Sequence, residues 1–349
     1  MKRTSLLKKE LLSAKNRLPA LLLLLVILPA VFAGASLVFE DVIPRDSPVA
    51  VVPADEEVTD EELDAVRGVM SAFASPSVYR GDYERALERE EFYAAIEVPH
   101  DFGGEREGEF VVHVHGAVVP FHEPSRIVVS ILDTGFRAAG TDISVERSFV
   151  GDEKSLSEYL MPVLLTVLVF VLGLTYIPHE LRREKNAIER LRLETSLVSV
   201  VVAKILFYAV LLAVPLAVFH LVASYFGYAV VFLSAPAIAF LVVTFVYLAL
   251  IGSAVTVATS FGALGRFVNA TLLFGVLVFS NLVYPPGFFS SLRGDIARVL
   301  PTHQSAVAFR SHTTKEIPPT LFADRFVLLV GFTVLCFVAL FVASRRYEP

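Results

Sequence analysis

The stretch YLMPVLLTVLVFVLGLTYI, residues Tyr159–Ile177, contains 19 residues and no charged side chain. A helix needs about 20 mostly apolar residues to cross the hydrocarbon core of a bilayer. Glu158 lies directly before this stretch, and Pro178-His179-Glu180 follows it. The sequence therefore predicts a transmembrane helix between these polar flanks, and this helix separates two parts of the chain that differ in composition.

Five further stretches have the same character. They are Leu18–Phe39, Val200–Ser224, Val230–Thr259, Phe267–Tyr284 and Phe326–Ala343. The charge well inside these stretches is Lys204, which lies close enough to one end to extend its amine to the membrane surface. Because a charge at the bilayer centre costs about 2.5–3.5 kcal/mol on insertion scales, this pattern predicts an α-helical polytopic membrane protein with six transmembrane helices.

Acidic and basic residues are distributed unevenly along the chain. Residues 40–158 contain 27 acidic and 10 basic residues, whereas the remainder contains 9 acidic and 20 basic residues. Charged residues make up 19% of the whole chain, compared with about 25% in soluble domains. An acidic domain in water and a basic, apolar part in the membrane explain both observations. With one cysteine, Cys336, an intramolecular disulfide is excluded.

Basic residues near the ends of membrane spans favour the cytoplasmic side. With six spans, four basic groups fall on one side: those before the first stretch, Arg182–Arg192, Arg266, and Arg345-Arg346. Both termini are therefore expected in the cytoplasm and residues 40–158 outside the cell. The segment 285–325 is also expected outside, and its own five basic residues weaken the asymmetry without reversing it.

The predicted organisation has five parts. They are a cytoplasmic amphipathic segment (1–17), the first transmembrane helix (18–39), an external domain (40–158), a five-helix membrane region (159–343) and a cytoplasmic tail (344–349). The membrane region includes a cytoplasmic segment, 179–196, and the external segment 285–325. The first stretch also has the basic start and the Ala33-Gly34-Ala35 ending of a signal peptide. Its length favours an uncleaved helix, and cleavage would leave the later orientation unchanged.

The external domain is predicted to be an α/β domain inserted between the first and second spans. Thr59 and Glu62 have the spacing of a capping box, and Asp82 precedes a second short helix. Strands are expected at Val49–Val52, Phe92–Val98 and Phe110–Val119 and from Ile143 to Phe149, with another helix opened by Pro124. Strands that alternate with helices favour an α/β fold.

Three histidines of this domain raise the question of a metal site. His113 and His115 share one face of a predicted strand, and His122 follows them. Two histidines spaced in this way can bind a metal, but no cysteine lies nearby and further ligands are not evident. We therefore expect exposed histidines on the solvent face and no metal site.

Sequence motifs of nucleotide binding and hydrolysis are missing. The chain has no G-x-x-x-x-G-K-[ST], no G-x-G-x-x-G and no G-x-S-x-G, and His179-Glu180 does not continue into H-E-x-x-H because position 183 is Arg. The predicted spans also contain no carboxylate for a proton relay. An enzyme and an ion-coupled pump are both disfavoured, so no catalytic, cofactor or metal residues are assigned.

The segment between the second and third stretches reads HELRREKNAIERLRLETS, residues 179–196. Leu181, Ile188 and Leu191 fall near one helical face, and charges of both signs cover the rest. Such a helix lies along a membrane surface. A pure lipid anchor would be mainly basic, so the mixed charges favour a docking surface over a plain connector.

These features resemble the membrane subunit of ABC transporters, in the type-two, export-type permease family. Its segment after the second span approximates E-[RK]-E-x-G-T-x-E-x-L, and Glu184-Lys185 and Glu189-Arg190-Leu191 match it in part. Here Asn186-Ala187 replaces Gly-Thr. Leu300-Pro301-Thr302-His303, leading to Phe309-Arg310, and a large domain after the first span extend the resemblance over nearly the whole chain.

The resemblance implies a non-catalytic permease that forms a translocation path with a second copy or a paralogue in the cell membrane. Separate ATPase subunits would use ATP and dock on the cytoplasmic segment, while this chain would bind no cofactor and no nucleic acid. The residues implied in ATPase coupling are Glu180, Arg183, Glu184, Lys185, Glu189, Arg190 and Leu191.

Polar residues inside the spans suggest a further role. They are His220, Thr256, Ser280 and Asn281. These side chains either line a path or form helix–helix hydrogen bonds worth under about 1 kcal/mol each, and the second interpretation is favoured. A membrane-anchored receptor or adhesion protein, whose external α/β domain binds a ligand, is the alternative function. An ion-driven transporter is a third possibility.

The predicted topology can be tested by cysteine labelling. In a Cys336→Ser background, a cysteine introduced at Ser77 should react with an impermeant maleimide in intact cells. A cysteine introduced at Asn186 should react after permeabilisation alone. Labelling at position 186 in intact cells would overturn the predicted orientation.

Overall fold

The computed structural model describes residues 47–71, 74–100, 108–138, 143–191, 194–280, 282–283, 296–315 and 317–347, together with positions 12, 13, 15 and 26. The predicted first transmembrane helix, Leu18–Phe39, lies outside the described residues apart from Val26. Asn281 and most of the first half of segment 285–325 also lie outside them.

A five-stranded mixed sheet with three helices forms the first part of the described chain. The strands are β1 (Pro48–Pro53), β2 (Ser75–Val78), β3 (Ala94–Val98), β4 (Gly108–His115) and β5 (Ile143–Val150), and the helices are α1 (Asp60–Met70), α2 (Tyr83–Glu88) and α3 (His122–Ala138). The strand order is β2-β1-β3-β4-β5. Strands β3 and β4 pair antiparallel, and the other neighbours pair parallel. An α/β fold in this part of the chain is confirmed.

The capping residues and the alternating pattern that predicted these helices and strands have the expected hydrogen bonds and burial in the structure. The Thr59 hydroxyl accepts a hydrogen bond from the Glu62 amide, and the Glu62 carboxylate accepts one from the Thr59 amide at 2.7 Å. Asp82 caps α2 by accepting from the Arg85 amide at 3.0 Å. Alternate side chains of β4 are buried in the core beneath α1 and α3, as the period of two predicts.

Strand β2 was not predicted from the sequence. Its four residues, Ser-Pro-Ser-Val, are exposed or half-buried and lack the alternation of apolar side chains that marks a strand. It forms the edge of the sheet beside β1. Proline is tolerated in edge strands because one side of the strand needs no hydrogen-bond donor, so the pairing with β1 determines this strand.

The prediction that His113 and His115 are exposed is wrong. His115 is 5% exposed, and its Nδ1 accepts a hydrogen bond from the Ala117 amide at 3.1 Å. Burial lowers the pKa of His115 to about 3. His113 Nε2 lies 2.7 Å from a Glu97 oxygen, and His122 Nε2 donates to the Gly116 carbonyl. Each histidine thus has a separate partner, and no metal-binding group of three or more side chains occurs among the described residues.

Apolar helices make up most of the chain after residue 155. They are α4 (Leu156–Val171), α5 (Ile177–Arg183), α6 (Lys185–Leu191), α7 (Leu197–Leu211), α8 (Ala213–Phe226), α9 (Ala235–Ala258), α10 (Ala263–Phe279), α11 (Pro301–Thr314) and α12 (Ala323–Tyr347). A π-helical turn, Leu172–Tyr176, joins α4 to α5.

Four helical stretches in the described residues are long and apolar enough to cross a membrane. They are Leu156–Arg183, Leu197–Phe226, Ala235–Ala258 and Ala323–Tyr347. Each matches a predicted span, and the fifth predicted stretch corresponds to the shorter apolar helix α10. The over-long stretch Val230–Thr259 becomes a 24-residue helix because Ser234 caps its start by accepting from the Ala237 amide.

Helix α9 approaches the π-helical turn closely at two glycines. A Cβ atom on Gly173 would lie 2.7 Å from the Leu248 Cβ. A Cβ atom on Gly252 would lie 2.9 Å from the Pro178 side chain and 3.0 Å from the Gly173 carbonyl oxygen. Small residues permit this close helix packing in membranes, and the contact positions α5 beside α9.

A buried charged cluster joins the α/β domain to the membrane helices. Glu90, in the turn between α2 and β3, pairs with Arg310 of α11 and lies 3.3 Å from the Lys315 amine. All three side chains are at most 3% exposed. The Lys315 amine also donates to the Glu88 carbonyl at 2.8 Å, and Arg310 donates to the Leu282 carbonyl at 3.0 Å.

The cluster stabilises both the ionised form of the Glu90 carboxyl group and the backbone conformation of this residue. Burial opposes ionisation, but Arg310 and Lys315 outweigh it and lower the pKa of Glu90 to about 2. Burial also lowers the pKa of Lys315, to about 8. Glu90 has φ of 56°, a left-handed conformation that non-glycine residues adopt at a cost of order 1–3 kcal/mol. The ion pairs and the surrounding contacts maintain this conformation.

We predict that Glu90→Gln strongly destabilises the full chain. Removing one partner of a buried ion pair costs about 3–5 kcal/mol because the remaining charge has no counterion. Thermal unfolding in detergent at neutral pH, followed by circular dichroism, measures the loss. Glu84→Gln, on the exposed face of α2, is the matched control and should change stability by less than about 0.5 kcal/mol.

The same contact predicts an acid dependence. The folded pKa of Glu90 is depressed, so its stabilisation is complete above the unfolded value of about 4.3 and is lost as the pH falls towards 2. The difference in stability between wild type and Glu90→Gln should therefore shrink over this range. If the difference in stability between wild type and Glu90→Gln stayed constant as the pH fell towards 2, the assigned pairing of Glu90 would be contradicted.

Candidate functional site

Two local features set the position of the segment that follows α4. The π-helical turn Leu172–Tyr176 adds backbone relative to an α-helix and so changes the rotation of the helix beyond it. Pro178 follows this turn within the continuous helical stretch Leu156–Arg183, and it has no amide hydrogen to donate to the preceding turn. Glu184 has φ −91° and ψ 10°, and this departure from helical geometry separates α5 from α6.

Helices α5 and α6 have one buried face and one exposed face. Glu180, Leu181, Glu184 and Ile188 are buried, and the spacing of four between Glu180, Glu184 and Ile188 places them on one side. Lys185 and Leu191 are half-buried. The exposed residues are His179, Arg183, Asn186, Ala187, Glu189 and Arg190. The implied coupling residues therefore divide between the two faces.

Glu184 forms a buried ion pair with Lys204 of α7. The Lys204 amine lies 3.2 Å from Glu184 Oε1, and the two side chains are 1% and 8% exposed. The prediction that Lys204 extends to the membrane surface is therefore wrong. The Ser13 hydroxyl lies 3.5 Å from the same carboxylate oxygen, so the N-terminal region also contacts this pair.

The exposed face of α6 lies near the end of the last helix. Lys185 and Glu189 form an i,i+4 pair at 3.8 Å. The Tyr347 hydroxyl lies 3.4 Å from Glu189 Oε1, and its ring contacts the Phe261 ring at a centroid distance of 5.3 Å. The structure thus gathers α6, the turn between α9 and α10, and the end of α12 at one end of the helices.

A cavity of about 440 Å³ opens between α5, α9 and α10. It is lined by Val171, Leu174, Thr175, Tyr176, Pro178, His179, Arg182, Thr256, Gly262, Arg266 and Asn269. Its volume lies in the range of small-molecule sites. The sequence placed Arg182 and Arg266 in separate basic clusters, and the structure brings both to this cavity.

The four polar residues predicted inside spans have different surroundings. Thr256 is buried, donates to the Gly252 carbonyl at 2.9 Å and lines the cavity. Ser280 is fully buried and lies 2.6 Å from the Thr302 hydroxyl, as expected for a helix–helix contact. His220 is half-buried. Asn281 lies outside the described residues.

Sequence reasoning missed Asn269 and the cluster around Glu90. Asn269 begins the tripeptide Asn269-Ala270-Thr271, which has the form of a glycosylation sequon. It is 2% exposed, and its Nδ2 donates to the Gly252 carbonyl and the Thr256 hydroxyl. The signal available in the sequence was a polar amide side chain within an apolar helical stretch, which indicates a buried hydrogen-bond partner. No pattern linked Glu90 to Arg310, because they are 220 residues apart.

Four long apolar helical stretches among the described residues are typical of a multi-pass membrane protein. The family model described as ABC-2 family transporter protein matches residues 19–342. The chain therefore belongs to this ABC transporter permease family and is a transporter membrane subunit. Comparisons with curated proteins and with solved structures gave no match.

We predict that Lys204→Met destabilises the chain by about 3–5 kcal/mol, because it leaves the Glu184 carboxylate buried without its cation. Adding Glu184→Gln should recover part of the loss by removing the uncompensated charge. Thermal unfolding of wild type, Lys204→Met, Glu184→Gln and the double variant in detergent measures the coupling.

Lys185→Met is the matched control on the neighbouring helix. Its partner Glu189 is exposed, and such pairs contribute about 0–1 kcal/mol. Equal losses for Lys204→Met and Lys185→Met would contradict a special role of the buried pair.

Proposed function

We propose that this chain is the permease subunit of an ATP-driven exporter and that separate ATPase subunits dock on the exposed face of α5 and α6. In this proposal the chain hydrolyses nothing itself, and the ATPase subunits use ATP. Two permease copies, or a copy and a paralogue, form the path across the membrane. Family membership supports the transporter role, and the resemblance to export-type permeases supports the direction.

The two-faced segment α5–α6 is the observation that carries the proposal. Its buried face is joined to α7 by the Glu184–Lys204 pair and packs beside α9 at Gly252. Its exposed face presents Arg183, Glu189 and Arg190. A force applied to the exposed face by a partner would therefore reach two apolar helices through short, buried contacts.

The burial of Glu184 changes which residues contact the ATPase. Glu180 and Glu184 are 2% and 8% exposed, so they act through packing within this chain. The contact itself is assigned to the exposed residues Arg183, Glu189 and Arg190, with Lys185 and Leu191 at the border. Charge pairs of this kind fix the register of an interface and accelerate association.

The arrangement of basic residues supports a cytoplasmic position for this end. Arg182 and Arg266 line one cavity, and the end of α12, next to Arg345 and Arg346, contacts α6 through Tyr347. Basic residues gathered at one end of the spans favour the cytoplasm. The α/β domain would then lie outside the cell.

The receptor or adhesion alternative receives less support. The family match extends over the α/β domain as well as the helices, and the domain is joined to α11 through Glu90 and Arg310. We therefore assign the domain to the transporter as one of its parts.

A charge swap tests the coupling. The variant Glu189→Lys, Arg190→Glu keeps the net charge of α6 but reverses its pattern. ATP hydrolysis activity that co-purifies with the tagged full chain from native membranes should fall by about tenfold or more, which corresponds to about 1.4 kcal/mol. Melting temperature should change little, because both side chains are exposed and the Lys185–Glu189 pair that is broken contributes about 0–1 kcal/mol.

The swap Glu84→Lys, Arg85→Glu is the matched control, since both residues are adjacent and exposed on α2. It should leave the co-purifying activity intact. If the α6 variant retained the normal co-purifying ATP hydrolysis activity, the proposed docking face would be contradicted. The family assignment would be unaffected.

A further inference from the structure

The cavity between α5, α9 and α10 is lined by two arginines and a histidine that have no acidic partner among the described residues. Arg182, Arg266 and His179 line it, and none of these side chains forms an ion pair or a hydrogen bond with another described residue. The Arg182 Nη1 atom is buried and lacks a hydrogen-bond acceptor. Because a buried, unpaired guanidinium nitrogen is costly, this wall of the cavity suits an anionic group.

Asn269, which lines the cavity, carries an acceptor with no donor among the described residues. Asn269 Nδ2 faces the Gly252 carbonyl, which can only accept, so the orientation of the amide is fixed. The opposite atom, Asn269 Oδ1, is buried and has no donor. A ligand that offers both anionic oxygens and a hydroxyl would pair with the arginines and with this carbonyl oxygen.

Apolar side chains complete the wall and distinguish the cavity from a site for a small inorganic anion. Val171, Leu174 and Pro178 line it. Next to Arg266 along α10, Leu264 and Phe267 are 65% and 71% exposed. Gly262 and Arg266 of the lining lie at the turn between α9 and α10, and the ends of membrane-spanning helices reach the polar headgroup region of a bilayer.

We propose that this cavity binds the anionic, hydroxyl-bearing headgroup of a membrane lipid, whose acyl chains extend over the apolar surface beside it. Arg182 and Arg266 bind the phosphate oxygens, and guanidinium groups suit this geometry because they present parallel donors. Asn269 Oδ1 accepts from a headgroup hydroxyl. The lining residues named here all come from this chain, and lipid binding is measured without ATPase subunits, so its failure and the failure of ATPase docking are distinguishable.

Native mass spectrometry of the full chain in detergent tests the proposal. Dioleoyl-phosphatidylglycerol and dioleoyl-phosphatidylcholine are added separately at equal concentration. The phosphatidylglycerol adduct should be retained preferentially. The double variant Arg182→Gln, Arg266→Gln should lose it by about tenfold or more, since hydrogen bonds to charged groups are worth about this factor or more.

Further variants separate binding from misfolding and from soluble anions. Arg183→Gln removes an exposed arginine of α5 that does not line the cavity, and it should retain the lipid. Arg182→Lys, Arg266→Lys should restore part of the binding while keeping the same net charge as wild type. Val171→Phe fills the apolar wall and should weaken phosphatidylglycerol binding with both arginines in place.

Two results would overturn the proposal. Equal retention of phosphatidylglycerol by wild type and the Gln double variant would show that the cavity does not bind the headgroup. Displacement of phosphatidylglycerol by inorganic phosphate, together with no effect of Val171→Phe, would identify a soluble anion in place of a lipid.

Discussion

The buried pair between Glu184 and Lys204 is the constraint on which the candidate site depends. Two charges that are almost fully removed from water are strongly destabilising when separated and tolerable when paired. The pair therefore specifies one position of α5–α6 against α7, which in turn decides which residues of the segment face outward. The glycine contact at Gly252 then fixes the same segment against α9.

Much of the fold follows from local signals in the sequence. Thr59, Glu62 and Asp82 start helices because their side chains accept from nearby amides, and four predicted apolar stretches are helices of membrane-spanning length. Strand β2 has no such signal, because its conformation depends on pairing with β1. The exposure of His115 was predicted wrongly because period-two alternation says nothing about what covers the second face of a strand.

The candidate site was less predictable, and the reason is distance along the chain. The pattern of 179–196 predicted a helical segment, and the structure has the helices Ile177–Arg183 and Lys185–Leu191 there. The pattern did not show that Glu184 is buried, since its partner Lys204 belongs to another helix. Arg182 and Arg266, 84 positions apart, meet at one cavity through the packing of α5, α9 and α10. A contact between residues so far apart in the sequence can be predicted only when the packing of the helices is already known.

The cluster around Glu90 has a mechanical consequence. Glu90 lies four residues before β3, the central strand of the sheet, and pairs with Arg310 of α11 and with Lys315 at the end of that helix. Arg89, next to Glu90, also pairs with Asp324 of α12, so the same turn contacts two helices of the membrane part. A shift of α11 relative to α12 would therefore act on the turn that leads into the central strand.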